Sequence, residues 1–221
     1  METPGFGILM ILATVALAFG LGVAAIARLL RGQAPRVGRL AVLAGAWSVL
    51  YLAALLAVSL GSDEQVLGWD ADKKFCGFYI DCHRQVGVAT VEVLDSLAAA
   101  RPAGRWHVVT LRVGSDAKVA RLRFFEPRVR IRTDGGRRVF TRSADGEAAL
   151  AHLRGPQRPL TDALSPGGSY TTAVVFDLPS DVRDPRLDVT DLPFPDRVVE
   201  FILIGDEDSF LHARTTIRLT P

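Results

Sequence analysis

Two uncharged apolar runs near the start of the chain constrain its fold more than any other feature. The first covers 23 residues, from Gly5 to Ala27, and the second covers 22 residues, from Leu40 to Gly61. At about 1.5 Å of rise per residue, a helix of either length reaches across a hydrocarbon core of roughly 30 Å. A buried helix of a soluble protein is typically shorter and carries a polar stripe. The sequence therefore predicts two transmembrane helices that form a hairpin over residues 1–61.

The charges around these runs predict an orientation. Residues 28–39 contain four arginines and no acidic residue, whereas Met1–Pro4 contains no basic side chain. Positively charged loops stay in the cytoplasm. We therefore expect a bacterial inner-membrane protein with its N-terminus and its C-terminal domain in the periplasm. A cleaved signal peptide is not expected, because it would carry its positive charge before the apolar run. Neither run contains a charged residue, so an ion pump or transporter is not expected either.

The rest of the chain has the composition of a soluble domain. Of the 26 basic and 24 acidic residues, the first 61 positions hold four arginines and one glutamate, which leaves 22 and 23 downstream. This near-neutral balance argues against nucleic acid as a partner. Residues 62–74 are polar and acidic and are predicted to be a linker. Residues 75–221 are predicted to fold as one extracytoplasmic domain.

Short runs with alternating apolar and polar residues dominate this domain and predict an antiparallel sheet structure. One stretch, residues 145–154, instead predicts a short helix that ends at Gly155-Pro156. The Asp134-Gly135-Gly136 turn predicts a hairpin. The expected fold class is an all-β, immunoglobulin-like β-sandwich with one short helix, with a small barrel as the alternative. The predicted strands cover residues 86–94, 106–113, 119–125, 128–133, 139–141, 169–177, 187–189, 198–204 and 214–219.

Both cysteines of the chain, Cys76 and Cys82, lie just after the predicted linker. An exported pair with no third cysteine favours one disulfide, which would stabilise the fold by roughly 2–3 kcal/mol. The alternative is a thiol-redox or metal site formed by Cys76, Cys82 and His83. The spacing does not match the Cys-x-x-Cys-His motif of covalent haem attachment. No residue lies at a spacing typical of a fourth zinc or copper ligand. No cofactor is expected.

A basic run and two aromatic residues are the candidate partner-binding positions. The basic side chains alternate with apolar ones, so they would share the outer face of a sheet and could dock on an acidic partner or on anionic lipids. The alternative is an ordinary solvated face whose like charges protect a sheet edge. The candidate residues are Arg121, Arg123, Arg128, Arg130, Arg132, Phe78 and Tyr79.

Two weaker motifs occur near the C-terminus. Asp206-Glu207-Asp208 is interpreted as a turn capped by acidic residues, with a calcium site as the alternative. Ser209 and His212 are close in sequence, but no third residue completes a nucleophile, base and orienting group. No catalytic residue is predicted, and the chain is not expected to be an enzyme.

Several segments resemble a group of bacterial membrane-anchored proteins of unassigned role. These are Phe75–His83, Ser165–Tyr170, Val175–Pro179 and Ile204–Ser209. The group is similar in placing an immunoglobulin-like domain outside the membrane. The resemblance covers roughly residues 70–221, and it implies a fold but no catalytic residues.

These patterns together favour a non-catalytic protein that binds or braces a partner. The expected partners are the lipid bilayer and other membrane-protein subunits. The most specific hypothesis is an accessory subunit on the periplasmic side of a larger membrane complex, for electron transfer, photosynthesis or export. Thiol-redox or metal handling at Cys76, Cys82 and His83 is the alternative function.

Overall fold

The computed structural model of the chain describes residues 4–33, 37–77, 81–133, 135–191 and 193–220. The chain divides into two compact units, and each is made from two separate parts of the sequence. The first unit contains Met1–Asp63 and Arg197–Arg214, and the second contains Glu64–Asp196 and Thr215–Pro221.

Two long helices, α1 (Pro4–Leu30) and α2 (Val37–Leu60), begin the first unit. Both are long and apolar enough to cross a membrane. They continue a few residues beyond the uncharged runs, because arginine is a good helix former and Arg28 and Arg39 extend the ends that face the connecting loop. Large apolar side chains are exposed along both helices. The two predicted helices are therefore present, and their apolar surface is available for contact.

A hydrogen bond between side chains joins α1 to α2. The indole Nε1 of Trp47 donates to the Thr14 hydroxyl at 3.0 Å, and that hydroxyl donates to the Met10 carbonyl at 2.8 Å. Gly20 and Gly45 do not bring the two helices together, because a Cβ added at either position would meet no atom within 4 Å. The hairpin is thus held in part by a polar contact, and these two glycines leave open surface.

The remainder of the first unit differs from its prediction. Residues 198–204 were predicted to form a strand, but α4 (Asp196–Ile202) occupies most of this stretch. The prediction was wrong because a short run of Val, Phe and Ile fits either element by composition. The helical spacing places Val198, Phe201 and Ile202 on one face, where all three are exposed.

Within the described residues, nine strands in two sheets form the second unit. The five-stranded sheet has the order β1-β9-β8-β5-β6, and the four-stranded sheet has the order β2-β3-β4-β7. All described pairings are antiparallel except the parallel pair of β1 and β9. The strands are β1 (Gln65–Leu67), β2 (Lys73–Gly77), β3 (Asp81–Leu94), β4 (Arg105–Ser115), β5 (Pro127–Thr133), β6 (Arg138–Thr141), β7 (Ser169–Leu178), β8 (Arg186–Asp191) and β9 (Thr215–Arg218).

The inner faces of the two sheets share one apolar core. Leu111 of β4 and Phe176 of β7 meet Ile131 of β5, Leu187 of β8 and Ile217 of β9, and all five side chains are fully buried. Apolar residues from both sheets in one cluster make the unit a β-sandwich, as predicted at the level of architecture.

A second, smaller core lies under α3 (Ala144–Arg154) on the outer face of the four-stranded sheet. Leu150 of α3 packs in a cluster with Trp106 of β4 and Val175 of β7. The approach is close, since a Cβ added at Gly146 would lie 2.6 Å from Val175 Cγ1. The Ser143 hydroxyl caps the helix by accepting from the Gly146 amide at 3.2 Å. This is the predicted short helix.

Two further predictions were wrong in this unit. Residues 119–125 do not form a strand, because here the chain crosses from one sheet to the other and makes only an isolated bridge between Leu122 and Leu164. Residues 62–74 are not only a linker, because they contain β1 and the start of β2. The polar composition of the latter stretch hid two short edge strands, which bury few of their own side chains.

Candidate functional site

The candidate site is one end of the sandwich, where β2 turns into β3. Gly77 pairs with Asp81, and Phe75 pairs with Arg84, so the two strands form an antiparallel hairpin. A disulfide joins Cys76 to Cys82 across it, as the sequence predicts. Closing the hairpin covalently restricts the unfolded chain and holds the strand ends together. Phe78 and Tyr79, two of the candidate partner-binding residues, lie outside the described residues.

Three charged side chains meet on the surface beside the disulfide. Asp116 pairs through one carboxylate oxygen with His83 Nδ1 at 2.6 Å and accepts through the other from Lys74 Nζ at 3.0 Å. The Asp116 amide also donates to the His83 carbonyl at 3.1 Å. The hydrogen bond from His83, followed by that from Lys74, lowers the pKa of the Asp116 carboxyl below its usual value. The cluster is an exposed charge network that ties β2 and β3 to the loop after β4.

A buried ion pair lies at the same end of the sandwich. The Arg84 guanidinium donates to Asp191, and the two side chains are 10% and 0% exposed. Arg84 also donates to the Arg123 carbonyl at 3.2 Å, and its guanidinium lies 5.2 Å from the centre of the Phe124 ring. Because Arg84 is on β3 and Asp191 ends β8, the pair connects the two sheets.

The second oxygen of Asp191 fixes the end of the crossing segment, as we call the residues that connect β4 to β5 around positions 119–126. It accepts from the amides of Phe125 at 2.9 Å and Glu126 at 2.7 Å. Phe124 is buried between these contacts and meets Phe75 edge to face, with 5.1 Å between ring centres. Residues 123–126 are therefore fixed in a non-strand conformation, which leaves Arg123 and Phe125 exposed.

A buried lysine forms a second link between the sheets. Lys73 Nζ donates to the carbonyls of Val189 at 2.9 Å and Thr215 at 3.0 Å, and it lies 5.3 Å from the centre of the Phe75 ring. Burying an ammonium group is costly unless it is hydrogen-bonded. The sequence analysis missed this residue, although the alternation of Lys73 and Phe75 with Lys74 and Cys76 indicates that Lys73 faces inward.

The five candidate arginines separate into two groups. Arg121 and Arg123 are exposed on the crossing segment, as are Val119 and Phe125. The Arg123 guanidinium lies 5.0 Å from the centre of the Phe125 ring. The other three, Arg128, Arg130 and Arg132, lie on the outer face of β5. Of these, Arg132 is held by Asp188 at 2.6 Å across the sheet. The shared face that alternation predicted exists only for the residues of β5.

The structure also describes the residues of the metal hypothesis and of the two C-terminal motifs. Both thiols are joined to each other, so neither is a thiolate ligand in this structure. Within the described ranges, no group of three His, Cys, Asp or Glu side chains is arranged to hold a metal ion. Asp206 caps a turn by accepting from the Asp208 amide at 2.8 Å. The Ser209 hydroxyl lies 3.4 Å from the Ser59 hydroxyl oxygen, and the Ser209 carbonyl accepts from the His212 amide at 3.1 Å.

A groove of about 490 Å³ lies elsewhere on the sandwich, beside α3 and the free edge of β7. Its charged walls are occupied by pairs within the protein: Arg142 binds Glu147 at 2.6 Å, and Arg158 binds Asp162 at 2.8 Å. Gln157 closes the strand edge by accepting from the Ala173 amide at 3.1 Å. The residues that line the groove therefore cover part of the β7 edge, which could otherwise pair with a strand of another chain.

Comparison with known proteins gives little further information. No protein-family model and no curated protein matches the chain. Among solved structures, a conserved hypothetical protein from Bacillus anthracis is similar over 55% of this chain and 89% of its own, at 14% identity and a TM-score of 0.37. An uncharacterised β-sandwich protein from Clostridium difficile 630 is similar over 72% of this chain and 97% of its own, at 9% identity and a TM-score of 0.38.

The candidate site is thus a rigid end of the sandwich with a basic and apolar surface. We call Val119, Arg121, Arg123 and Phe125 the crossing-segment surface. The disulfide, the Arg84–Asp191 pair and the Asp191 amide contacts hold the backbone near it in place. Such a surface is suited to binding, because a rigid epitope loses little conformational entropy when a partner docks.

Proposed function

We propose that the chain is a non-catalytic, membrane-anchored binding protein. The observation that carries this proposal is the exposure of large apolar side chains along both long helices, for example Phe19 at 74% and Val42 at 71%. Contiguous apolar surface of this extent is typical of contact with lipid or with other membrane helices. In this proposal α1 and α2 cross a bacterial inner membrane as a hairpin.

The orientation follows from the arginines of the connecting loop. They support an orientation with residues 28–39 in the cytoplasm and both ends of the hairpin, together with the sandwich, in the periplasm. The oxidised cysteine pair agrees with this assignment, because disulfides persist in the periplasm.

We further propose that the sandwich is immunoglobulin-like. In that fold the sheet order C-F-G faces a sheet in which strands B and E are neighbours. The neighbours β5-β8-β9 have the order of C-F-G, and β4 beside β7 has that of B and E. In this assignment α3, between β6 and β7, replaces strand D.

The role we propose is that of an accessory subunit that braces the periplasmic side of a larger membrane complex. Gly20 and Gly45 support it, since open space at these positions lets a neighbouring helix approach closely. The crossing-segment surface supports it too, because arginine and aromatic side chains are enriched at binding hot spots. Its basic character favours a partner with an acidic periplasmic surface.

Co-purification from native membranes tests this function. The tagged full-length chain is extracted in mild detergent, and the proteins that elute with it are identified after cross-linking. We expect a constant set of membrane proteins with the natural chain, reduced several-fold for Arg121→Glu combined with Arg123→Glu. The matched control, Arg101→Glu combined with Arg218→Glu, changes two exposed arginines elsewhere and should retain the set. A chain that always elutes alone would refute the proposal.

A further inference from the structure

The segment that follows β8 has an exposed apolar surface and belongs almost entirely to the first unit, together with α1 and α2. We call residues 196–211, which comprise α4 and the turns after it, the α4 segment. Its exposed large apolar side chains are Val198, Phe201, Ile202, Phe210 and Leu211, and they range from 40% to 57% exposed. Phe201 and Phe210 contact each other with 5.4 Å between ring centres, and the Phe210 amide donates to the Phe201 carbonyl at 2.9 Å.

The apolar stripe of α4 is not buried, unlike the stripe of an ordinary surface helix. A helix at the surface of a soluble protein buries its apolar stripe and exposes its polar face. On α4 the positions i, i+3 and i+4 are Val198, Phe201 and Ile202, and this apolar stripe is the exposed one. Leu203 and Ile204, directly after the helix, are 2% exposed. The segment is therefore packed on one side and presents apolar side chains on the other.

Specific contacts hold the α4 segment beside the two long helices. The Tyr51 hydroxyl donates to the Ile202 carbonyl at 2.8 Å, and the hydroxyl oxygens of Ser59 and Ser209 lie 3.4 Å apart. On α1, a Cβ added at Gly7 would come within 2.2 Å of the Ile204 carbonyl oxygen, so only glycine permits this approach. Three separate contacts thus attach the segment to both helices.

The positions of these contacts locate the segment along the helices. Gly7 is in the first turn of α1, and Ser59 is next to the last residue of α2. Tyr51 is nine residues before the end of α2, which corresponds to about 13 Å along the helix axis. The segment therefore lies alongside the helix ends that face away from the arginine loop, rather than beyond them.

From this arrangement we propose that the α4 segment is an interfacial membrane element, which inserts its apolar face into the outer leaflet beside the helical hairpin. The inference rests on the proposed membrane crossing of α1 and α2. If those helices cross the bilayer, a segment packed against their outer ends lies at the level of the headgroups and upper acyl chains. The segment that carries this exposed apolar face contacts both helices, whose own large apolar side chains are exposed, and a surrounding lipid leaflet covers both. Interfacial helices bury such faces about 5–10 Å into this region.

Spin-label accessibility in vesicles tests the inference. The natural cysteines are joined in a disulfide, so a single added cysteine takes the label. Phe201→Cys and Leu211→Cys report on the α4 segment, Leu12→Cys reports on α1, and Val119→Cys is an apolar but water-facing control on the sandwich. The full-length variants are reconstituted in vesicles of phosphatidylcholine and phosphatidylglycerol, and collisions of each label with oxygen and with a water-soluble nickel complex are measured.

We expect the ratio of oxygen to nickel collisions at Phe201→Cys and Leu211→Cys to exceed that at Val119→Cys several-fold. It should lie closer to the ratio at Leu12→Cys. A high ratio at Leu12→Cys with low ratios at the two α4 labels would overturn the interfacial element and leave the membrane hairpin intact. Low ratios at all labels would refute both. Labels on the α4 segment that are shielded from both reagents would place a protein surface, such as a second copy of the chain, against it and would also overturn the inference.

Discussion

Replacing Asp191 with alanine removes the group that joins the two sheets to the crossing segment. Its carboxylate pairs with Arg84 and accepts from the amides of Phe125 and Glu126, and the side chain is fully buried. After the substitution, the Arg84 guanidinium stays in a largely buried position without its counter-charge. The two amides lose their acceptor at the same time.

The expected loss of stability is large for a single substitution. Removing one partner of a buried ion pair costs about 3–5 kcal/mol. An unsatisfied buried donor costs about 1–3 kcal/mol. We do not add this cost in full to that of the ion pair, because water that enters the cavity left by the side chain lowers both. We therefore expect Asp191→Ala to lower the free energy of unfolding by about 4 kcal/mol. Asp191→Asn keeps an acceptor for the amides and should lose less, about 2–3 kcal/mol.

The assay is urea unfolding of the full-length chain in detergent, followed by tryptophan fluorescence. Trp106 is buried under α3, and Trp69 packs against the main core, so both report on the sandwich. Glu92→Gln is the matched control. Its partner is Arg154 at 2.7 Å, but the side chains of that pair are 43% and 37% exposed, so the loss should stay below about 1 kcal/mol.

The free energies of unfolding of Asp191→Ala, Asp191→Asn and Glu92→Gln are compared to test this explanation. A free energy of unfolding for Asp191→Ala within about 1 kcal/mol of the natural chain would match an exposed pair. It would refute the claim that Asp191 links the two sheets to the crossing segment at this end of the sandwich. Equal effects of Asp191→Ala and Asp191→Asn would contradict the contribution assigned to the amide contacts.

Three other predictions concern the same unit. Lys73→Met removes the buried ammonium donor from the carbonyls of Val189 and Thr215 and should lower the free energy of unfolding by about 2 kcal/mol, measured by the same urea titration. Replacing Cys76 and Cys82 by serine should cost about 2 kcal/mol in the chain-entropy treatment of so short a loop. Lowering the pH should weaken the sandwich: the pKa values of Asp116 and Asp181 are depressed in the folded state by hydrogen bonds from basic side chains. The stability they contribute is present above the unfolded value of about 3.9 and is lost as the pH falls through the folded pKa, seen in urea midpoints between about pH 5 and pH 3.

Different results would contradict each of these predictions. A Lys73→Met chain as stable as the natural one would mean that water or another donor satisfies the carbonyls. Bound metal, or a free pair of thiols in the intact mass of the purified protein, would contradict the structural disulfide and support the redox and metal hypothesis. A urea midpoint that rises as the pH falls from 5 to 3 would contradict the sign assigned to the two aspartates.

Elements that depend on local pattern were predictable from the sequence. The length of the uncharged runs is enough to predict α1 and α2, because few other helices need so many apolar residues in succession. The hairpin of β5 and β6 was predictable from its glycines, since Gly135 and Gly136 adopt positive φ values of 63° and 82°. The disulfide was predictable from the number of cysteines and from the compartment expected for them.

Elements that depend on distant partners were not predictable. The alternation predicted for residues 119–125 is present only over residues 122–125, where Phe124 is buried while Arg123 and Phe125 are exposed. Its amides, however, bind the Asp191 carboxylate, more than 60 positions away, instead of a neighbouring strand. No local pattern shows this choice. The α4 helix was predicted as a strand for a related reason, because its surroundings rather than its composition decide between helix and strand.

The central claim is that α1 and α2 cross the membrane and place the sandwich in the periplasm. Single cysteines at Leu153 on the sandwich, an exposed position outside the crossing-segment surface, and at Gln33 after α1 test it directly, using a membrane-impermeant maleimide on intact cells. We expect Leu153→Cys to be labelled in intact cells and Gln33→Cys to be labelled only after the inner membrane is permeabilised. Labelling of Gln33→Cys in intact cells, or protection of Leu153→Cys until lysis, would contradict the proposed topology.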